Sequence, residues 1–158
     1  LMGVFDGALT EKLARVLGKL GCKRAMVVHG IDGLDEISTV GETIISELSD
    51  NEVTTKTVRP EDFGIKRVLP SDLLGGDATE NAKMLLQVLK GERGPKRDIV
   101  LLNSAAAIVV GGAAENITEG IQVARESIDS GKALEKLQKF VKATGGDLQR
   151  LKTLEEFP

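Results

Sequence analysis

At 158 residues, 41% hydrophobic and 28% charged, the chain is long enough for one compact domain with its own core. Trp and Tyr are absent and four Phe are the only aromatics, which excludes a base-stacking nucleic-acid surface, while a net charge of −3 with dispersed Lys and Arg excludes a basic stripe for a polyphosphate backbone. No apolar run spans a bilayer, no export signal leads the chain and Cys22 stands alone, so no disulfide framework exists and the cytoplasm is the expected compartment.

Leu1 is not an initiator residue, so the chain is expected to be processed or to belong to something longer. Leu9, Leu13, Val16, Leu17 and Leu20 recur at helical spacing, which predicts a first amphipathic helix ending at Gly21. Ala25-Met26-Val27-Val28 follows as a continuous apolar run. Such a run after a helix fits a strand covered on both faces, as in a parallel sheet. Residues 43–48 and 52–58 have β character and flank the turn formers Asp50-Asn51, which predicts a β-hairpin. Pro60 and Pro70 punctuate an irregular stretch from 59 to 76.

A helix is predicted from Asp77, with Glu80 three residues on as a variant capping box, and with Ala82, Leu85, Leu86 and Leu89 as its apolar stripe before Gly91. The nearly all-apolar segment Ile99 to Val110 predicts a buried helix capped by Asp98, with a long strand as the alternative. Residues 115–130 and 132–144 read as two further helices parted at Gly131, and Leu148, Leu151 and Leu154 are spaced for a short docked helix. The expected class is α/β, an incomplete, mostly parallel sheet with a β-hairpin and packed C-terminal helices. Only one strongly buried strand is visible, and such a strand needs neighbours on both edges, so partners outside the chain are expected.

The chemistry centres on His29-Gly30-Ile31-Asp32-Gly33-Leu34-Asp35-Glu36-Ile37-Ser38. This stretch leaves the C-terminal end of the buried strand, where open α/β sheets place their ligands. Asp35 and Glu36 are candidate magnesium ligands, since magnesium is often held by one or two carboxylates, waters and substrate phosphates. A solvated acidic turn is the plainer reading of two adjacent carboxylates. His29 is a candidate base but reads better as a strand-end structural residue. Gly75-Gly76-Asp77 reads as a flexible connector with an Asp cap, because the Asp77 charge would repel an anion at that helix end. Arg93-Gly94-Pro95-Lys96-Arg97 is a basic turn too short for nucleic acid.

Val27-Val28-His29-Gly30 followed by Gly33-Leu34-Asp35-Glu36 closely resembles the corresponding segment of anthranilate phosphoribosyltransferases. Pro60-Glu61-Asp62-Phe63-Gly64, Gly75-Gly76-Asp77 with Asn81-Ala82, Leu102-Asn103 with Ala105-Ala106, Glu119-Gly120, Ala124 and Ser130-Gly131-Lys132-Ala133 extend the resemblance from near residue 3 to about 145. The resemblance implies a glycosyltransferase reaction of tryptophan biosynthesis: anthranilate joins the C1 carbon of phosphoribosyl pyrophosphate and pyrophosphate leaves. It also implies that Asp35 and Glu36 hold magnesium at the pyrophosphate, where metal ions stabilise the departing charge. Residues 1–158 then correspond to the C-terminal portion of the α/β domain. The family's helical N-terminal domain, glycine-rich phosphate loop, Lys-His-Gly-Asn segment and anthranilate-contacting Arg have no counterpart in the sequence. The resemblance therefore implies association with an upstream part of the enzyme and no transferase activity for the chain alone. A non-catalytic assembly domain of the same fold and a part of a nucleoside phosphorylase are the alternatives; the Gly33-Leu34-Asp35-Glu36 string favours the anthranilate enzyme over the latter.

Overall fold

The computed structural model describes residues 1–155. A short strand β1 (Met2–Gly3) leads through a helical turn at Gly7–Leu9 into helix α1 (Thr10–Lys19). Strand β2 (Arg24–Gly30) follows, then β3 (Thr43–Ser49) and β4 (Glu52–Val58). Five helices complete the order: α2 (Ala78–Leu89), α3 (Pro95–Val110), α4 (Ile117–Asp129), α5 (Lys132–Ala143) and α6 (Leu148–Glu155). No helix among the described residues is long and apolar enough to cross a membrane.

The α/β class, the hairpin and the C-terminal helices agree with expectation. The strand directions do not: the sheet, ordered β1-β2-β3-β4, is mixed rather than mostly parallel. Only β1 and β2 run parallel, and α1 is the crossover between them. The loop 31–42 reverses the chain, so β3 pairs antiparallel with β2 along its whole length. The Asp50-Asn51 turn reverses it again. Both turn residues have positive φ, 50° and 68°, the backbone that a two-residue hairpin turn needs to match the strand twist.

β2 is buried on both faces by helices, as its composition predicts, and β1 and β3 pair with its two edges, so the expected partners outside the chain are not needed for β2. Val27 packs with Val4 and Ala14 beneath α1, where Leu9, Leu13 and Leu17 close the layer. Met26 and Val28 face the other way, against Leu102, Ala105, Ala106 and Val109 of α3. Side chains alternate across a strand, so consecutive residues feed both layers. Complete burial of Val27 and Val28 stabilises the fold by about 1.5–3 kcal/mol each. The predicted α1 stripe is narrower in fact, since Val16 and Leu20 are exposed.

α3 begins at Pro95 and not at Asp98. Gly94, at φ 146°, is its N-cap, and Pro95 takes a first-turn position where its missing N–H costs nothing. Asp98 lies a turn inside, its amide bonded to the Gly94 carbonyl at 3.0 Å. The α2 capping box forms as predicted: Asp77 Oδ1 accepts from the Thr79 and Glu80 amides and Glu80 Oε2 accepts from the Asp77 amide, all at 2.8 Å. The buried face of α2 uses Leu86 and Val88, whereas Leu85 is exposed. α6 docks on α2 and α5, as expected of its leucine spacing.

Candidate functional site: the loop after β2

β2 ends at Gly30, where the backbone turns and a side chain would press against the Asp32 carboxylate. The Gly30 amide donates to the Leu34 carbonyl at 2.8 Å, and the Gly33 amide donates back to Gly30 at 2.9 Å. A Cβ on Gly30 would lie 2.5 Å from Asp32 Oδ1. Ile31 closes the base of the loop by donating to the Glu42 carbonyl at 2.8 Å.

Within the loop, Asp32 is structural. Its Oδ2 accepts from the Ser38 hydroxyl at 2.5 Å. Ser38 Oγ in turn accepts from the Val40 and Gly41 amides, and the Ser38 amide donates to Thr43 Oγ1 at 2.9 Å. A second clamp comes from α3. The Ile37 amide donates to Asn103 Oδ1 at 2.9 Å, while Asn103 Nδ2 donates to the Ile37 carbonyl at 2.9 Å and to the Ile99 carbonyl at 3.0 Å. A third is steric: β1 lies so close that a Cβ on Gly3 would fall 1.5 Å from the Asp35 carbonyl oxygen.

The loop is thus fixed at Gly3, Gly30, Thr43 and Asn103, and the two residues between the clamps point into solvent. Asp35 and Glu36 are both exposed, and their carboxylates have no hydrogen-bond or ion-pair partner among the described residues. Glu36 borders an apolar groove of about 340 Å³ formed with Leu34, Leu85, Lys96 and Val100 among others. No group of three or more His, Cys, Asp or Glu among the described residues could enclose a metal ion. Two unpaired carboxylates on a rigid loop still fit magnesium, a hard cation that keeps waters and takes remaining oxygens from a phosphate. They do not fit a fully protein-enclosed ion.

The other predicted candidates are placed as follows. His29 is half-buried and its Nδ1 lies 2.9 Å from the Val4 carbonyl, so that nitrogen carries the proton and ties β2 to the residue that follows β1. The backbone of Gly76 is occupied at both ends by the Asn81 side chain, at 2.8 and 3.0 Å. Sequence reasoning missed Asp32, Ser38 and Asn103 as organisers of the loop. The one signal for Asn103 is an amide side chain inside an otherwise apolar helix.

With the loop in view, comparison with known proteins is decisive about kinship. The model of the glycosyl transferase family, a/b domain, matches residues 1–134. The chain belongs to that family. It is 54% identical over 91% of its length to an anthranilate phosphoribosyltransferase of Acetivibrio thermocellus, covering 42% of that protein. For the enzyme of the same name from Methanocorpusculum labreanum the values are 51%, 92% and 43%. Among solved structures, anthranilate phosphoribosyltransferase from Thermus thermophilus matches with a TM-score of 0.81 at 35% identity, over 89% of this chain and 41% of that one. The Saccharomyces cerevisiae enzyme in complex with PRPP and Mg matches with a TM-score of 0.80 at 29% identity, over 90% of this chain and 42% of that one. The resemblance read in the sequence thus holds across the fold, and the chain spans less than half the length of these relatives.

Proposed function

We propose that the chain forms the C-terminal portion of the α/β domain of an anthranilate phosphoribosyltransferase, a cytoplasmic enzyme of tryptophan biosynthesis. In the complete protein, phosphoribosyl pyrophosphate would give its phosphoribosyl group to anthranilate, and Asp35 and Glu36 would hold magnesium beside the departing pyrophosphate. One observation carries this reading: adjacent, unpartnered carboxylates on a loop clamped from four sides, at the C-terminal end of the buried strand. The role of the protein is positional. The clamps fix the backbone of residues 35 and 36, so the carboxylates need not be ordered again on binding. Bound there, the metal would neutralise charge that gathers on the leaving group.

The remaining phosphate and anthranilate contacts would come from an upstream part of the enzyme. That association is supported by Phe5, which is 81% exposed beside β1. The chain alone is then inactive, because two carboxylates without a phosphate cradle hold neither metal nor substrate firmly. The test is reconstitution. Mixing the chain with an upstream fragment that carries the glycine-rich loop should give magnesium-dependent phosphoribosyl-anthranilate formation. Asp35→Ala with Glu36→Ala should abolish it while circular dichroism is unchanged. Turnover by the 158-residue chain alone, or full activity in the double variant, would overturn the proposal.

A further inference from the structure

α3 offers two different openings. Lys96, Ile99 and Val100 border the groove beside Glu36. Arg97, Asp98 and Leu101 border a separate cleft of about 660 Å³, shared with Lys66, Arg93, Arg125 and Asp129. At roughly 100° of rotation per residue, those two triplets occupy nearly opposite faces of the helix. The protein carries a net −3. The cleft nevertheless sets four cationic side chains against two carboxylates.

Its floor is built. Arg97 is only 6% exposed, and its guanidinium donates to the Gly91 carbonyl at 2.7 Å and to Asp129 Oδ1 at 2.6 Å. Asp129 therefore balances Arg97 and leaves the rest uncompensated. Arg125 donates to Gln122 Oε1 at 2.8 Å, a neutral partner, and meets the Asp98 carboxylate only through space, without an ion pair. Lys66 and Arg93 have no hydrogen-bond or ion-pair partner among the described residues. The Asp98 carboxylate is half-buried and likewise accepts from none of these cations. Three cations without an ion-pair partner thus surround one carboxylate, from the loop after Phe63, the turn before α3 and the flank of α4.

Like charges gathered in a concave site raise the local potential and favour entry of a multiply charged anion. Guanidinium forks match the oxygens of phosphate, and an ammonium adds a point charge. We propose that this cleft binds a small phosphate-bearing anion, held by Lys66, Arg93 and Arg125 above the buried Arg97. The site is independent of the magnesium reading of Asp35 and Glu36, which lie by the other face of α3 and need a cation to hold phosphate at all.

The test titrates pyrophosphate into the 158-residue chain in the presence of EDTA, by calorimetry and by amide chemical shifts. Saturable binding is expected, with shifts centred on residues 64–67 and 91–98. Lys66→Ala and Arg93→Ala change exposed side chains and should each weaken binding roughly tenfold, whereas Asp98→Asn should strengthen it by a similar factor because a repelling charge is lost. Asp35→Asn should leave it unchanged. Absence of saturable binding at millimolar pyrophosphate would overturn the proposal. So would shifts confined to residues 31–38, a loss of affinity in Asp35→Asn, or an unaltered affinity in the combined Lys66 and Arg93 variant.

Discussion

Asn103 is the single side chain whose removal should separate the loop from the rest of the fold. Ile37 is 1% exposed, and both its backbone polar groups end on Asn103. Asn103→Ala removes those two bonds and a third to Ile99, but the Ile99 carbonyl keeps its helical partner. The cost is therefore set by two buried backbone groups left unpaired. At about 1–3 kcal/mol for each group, and with some relief from water entering the space, the loss should be about 2–4 kcal/mol. For a chain of this size that corresponds to a fall in melting temperature of roughly 5–15 °C. Urea unfolding measures the loss, and hydrogen exchange at the Ile37 amide locates it. Asn103→Asp gives a sharper contrast. It retains the acceptor for the Ile37 amide yet points a carboxylate at two carbonyl oxygens, so it should cost at least as much as alanine. A loss under about 0.5 kcal/mol in Asn103→Ala, with Ile37 still protected from exchange, would refute the clamp, since even one ordinary hydrogen bond contributes that much.

Other substitutions probe the packing around the same core. A Cβ at Gly120 would lie 2.7 Å from the Ala105 carbonyl oxygen, so Gly120→Ala should force α3 and α4 apart and cost about 1–3 kcal/mol in urea unfolding. An unchanged midpoint would show that the two helices slide freely. The Thr39 hydroxyl is buried with no partner among the described residues, so Thr39→Val should be neutral or stabilising by about 1 kcal/mol, and a clear loss of stability would contradict that isolation. Burial raises the Asp98 carboxyl above the usual carboxylate range, against the opposing pull of Arg97 and Arg125. The folded protein then holds a proton on Asp98 at pH values where the unfolded chain has released it, so the buried charge destabilises at neutral pH. That penalty fades as pH falls through the raised folded value and is gone below the unfolded one. Asp98→Asn should be the more stable protein at neutral pH, with the gap closing on acidification; equal pH profiles would refute the assignment.

What the sequence could reveal divides along physical lines. The hairpin turn and the Asp77 cap rest on interactions between near neighbours, and β2 and the leucine-spaced tail on a local pattern of apolar residues; each leaves a period or a turn signature. Strand direction does not. A run such as Ala25-Met26-Val27-Val28 is apolar because helices cover both faces, and it looks the same whether the strands at its edges run parallel or antiparallel. The start of α3 was obscured for a related reason: Gly94-Pro95 is a turn signal in isolation and becomes an N-cap only because Lys96 to Asp98 continue the helix. Asp35 and Glu36 were visible as a pair in a distinctive string. The long-range part of their setting was not, because Asn103 is 66 positions from Ile37 in sequence and Gly3 lies on β1.

That distance explains why the carboxylates can be both exposed and specific. An acidic turn held only by its own residues would relax toward solvent, and binding a cation there would have to order the backbone as well as the ion, at about 1–2 kcal/mol for each residue fixed. Here the ordering is already done by interactions that do not involve either carboxylate. Asp32 is bonded to Ser38, Asn103 holds Ile37, and Gly3 lies under Asp35. Each of these can be lost while the charges stay in place. An Asn103→Ala protein should therefore keep both carboxylates and its net charge, yet reconstitute with lower magnesium affinity than the parent. If the affinity were instead unchanged while Ile37 lost its protection, the pair would act as mobile point charges, and the clamps would serve the fold alone.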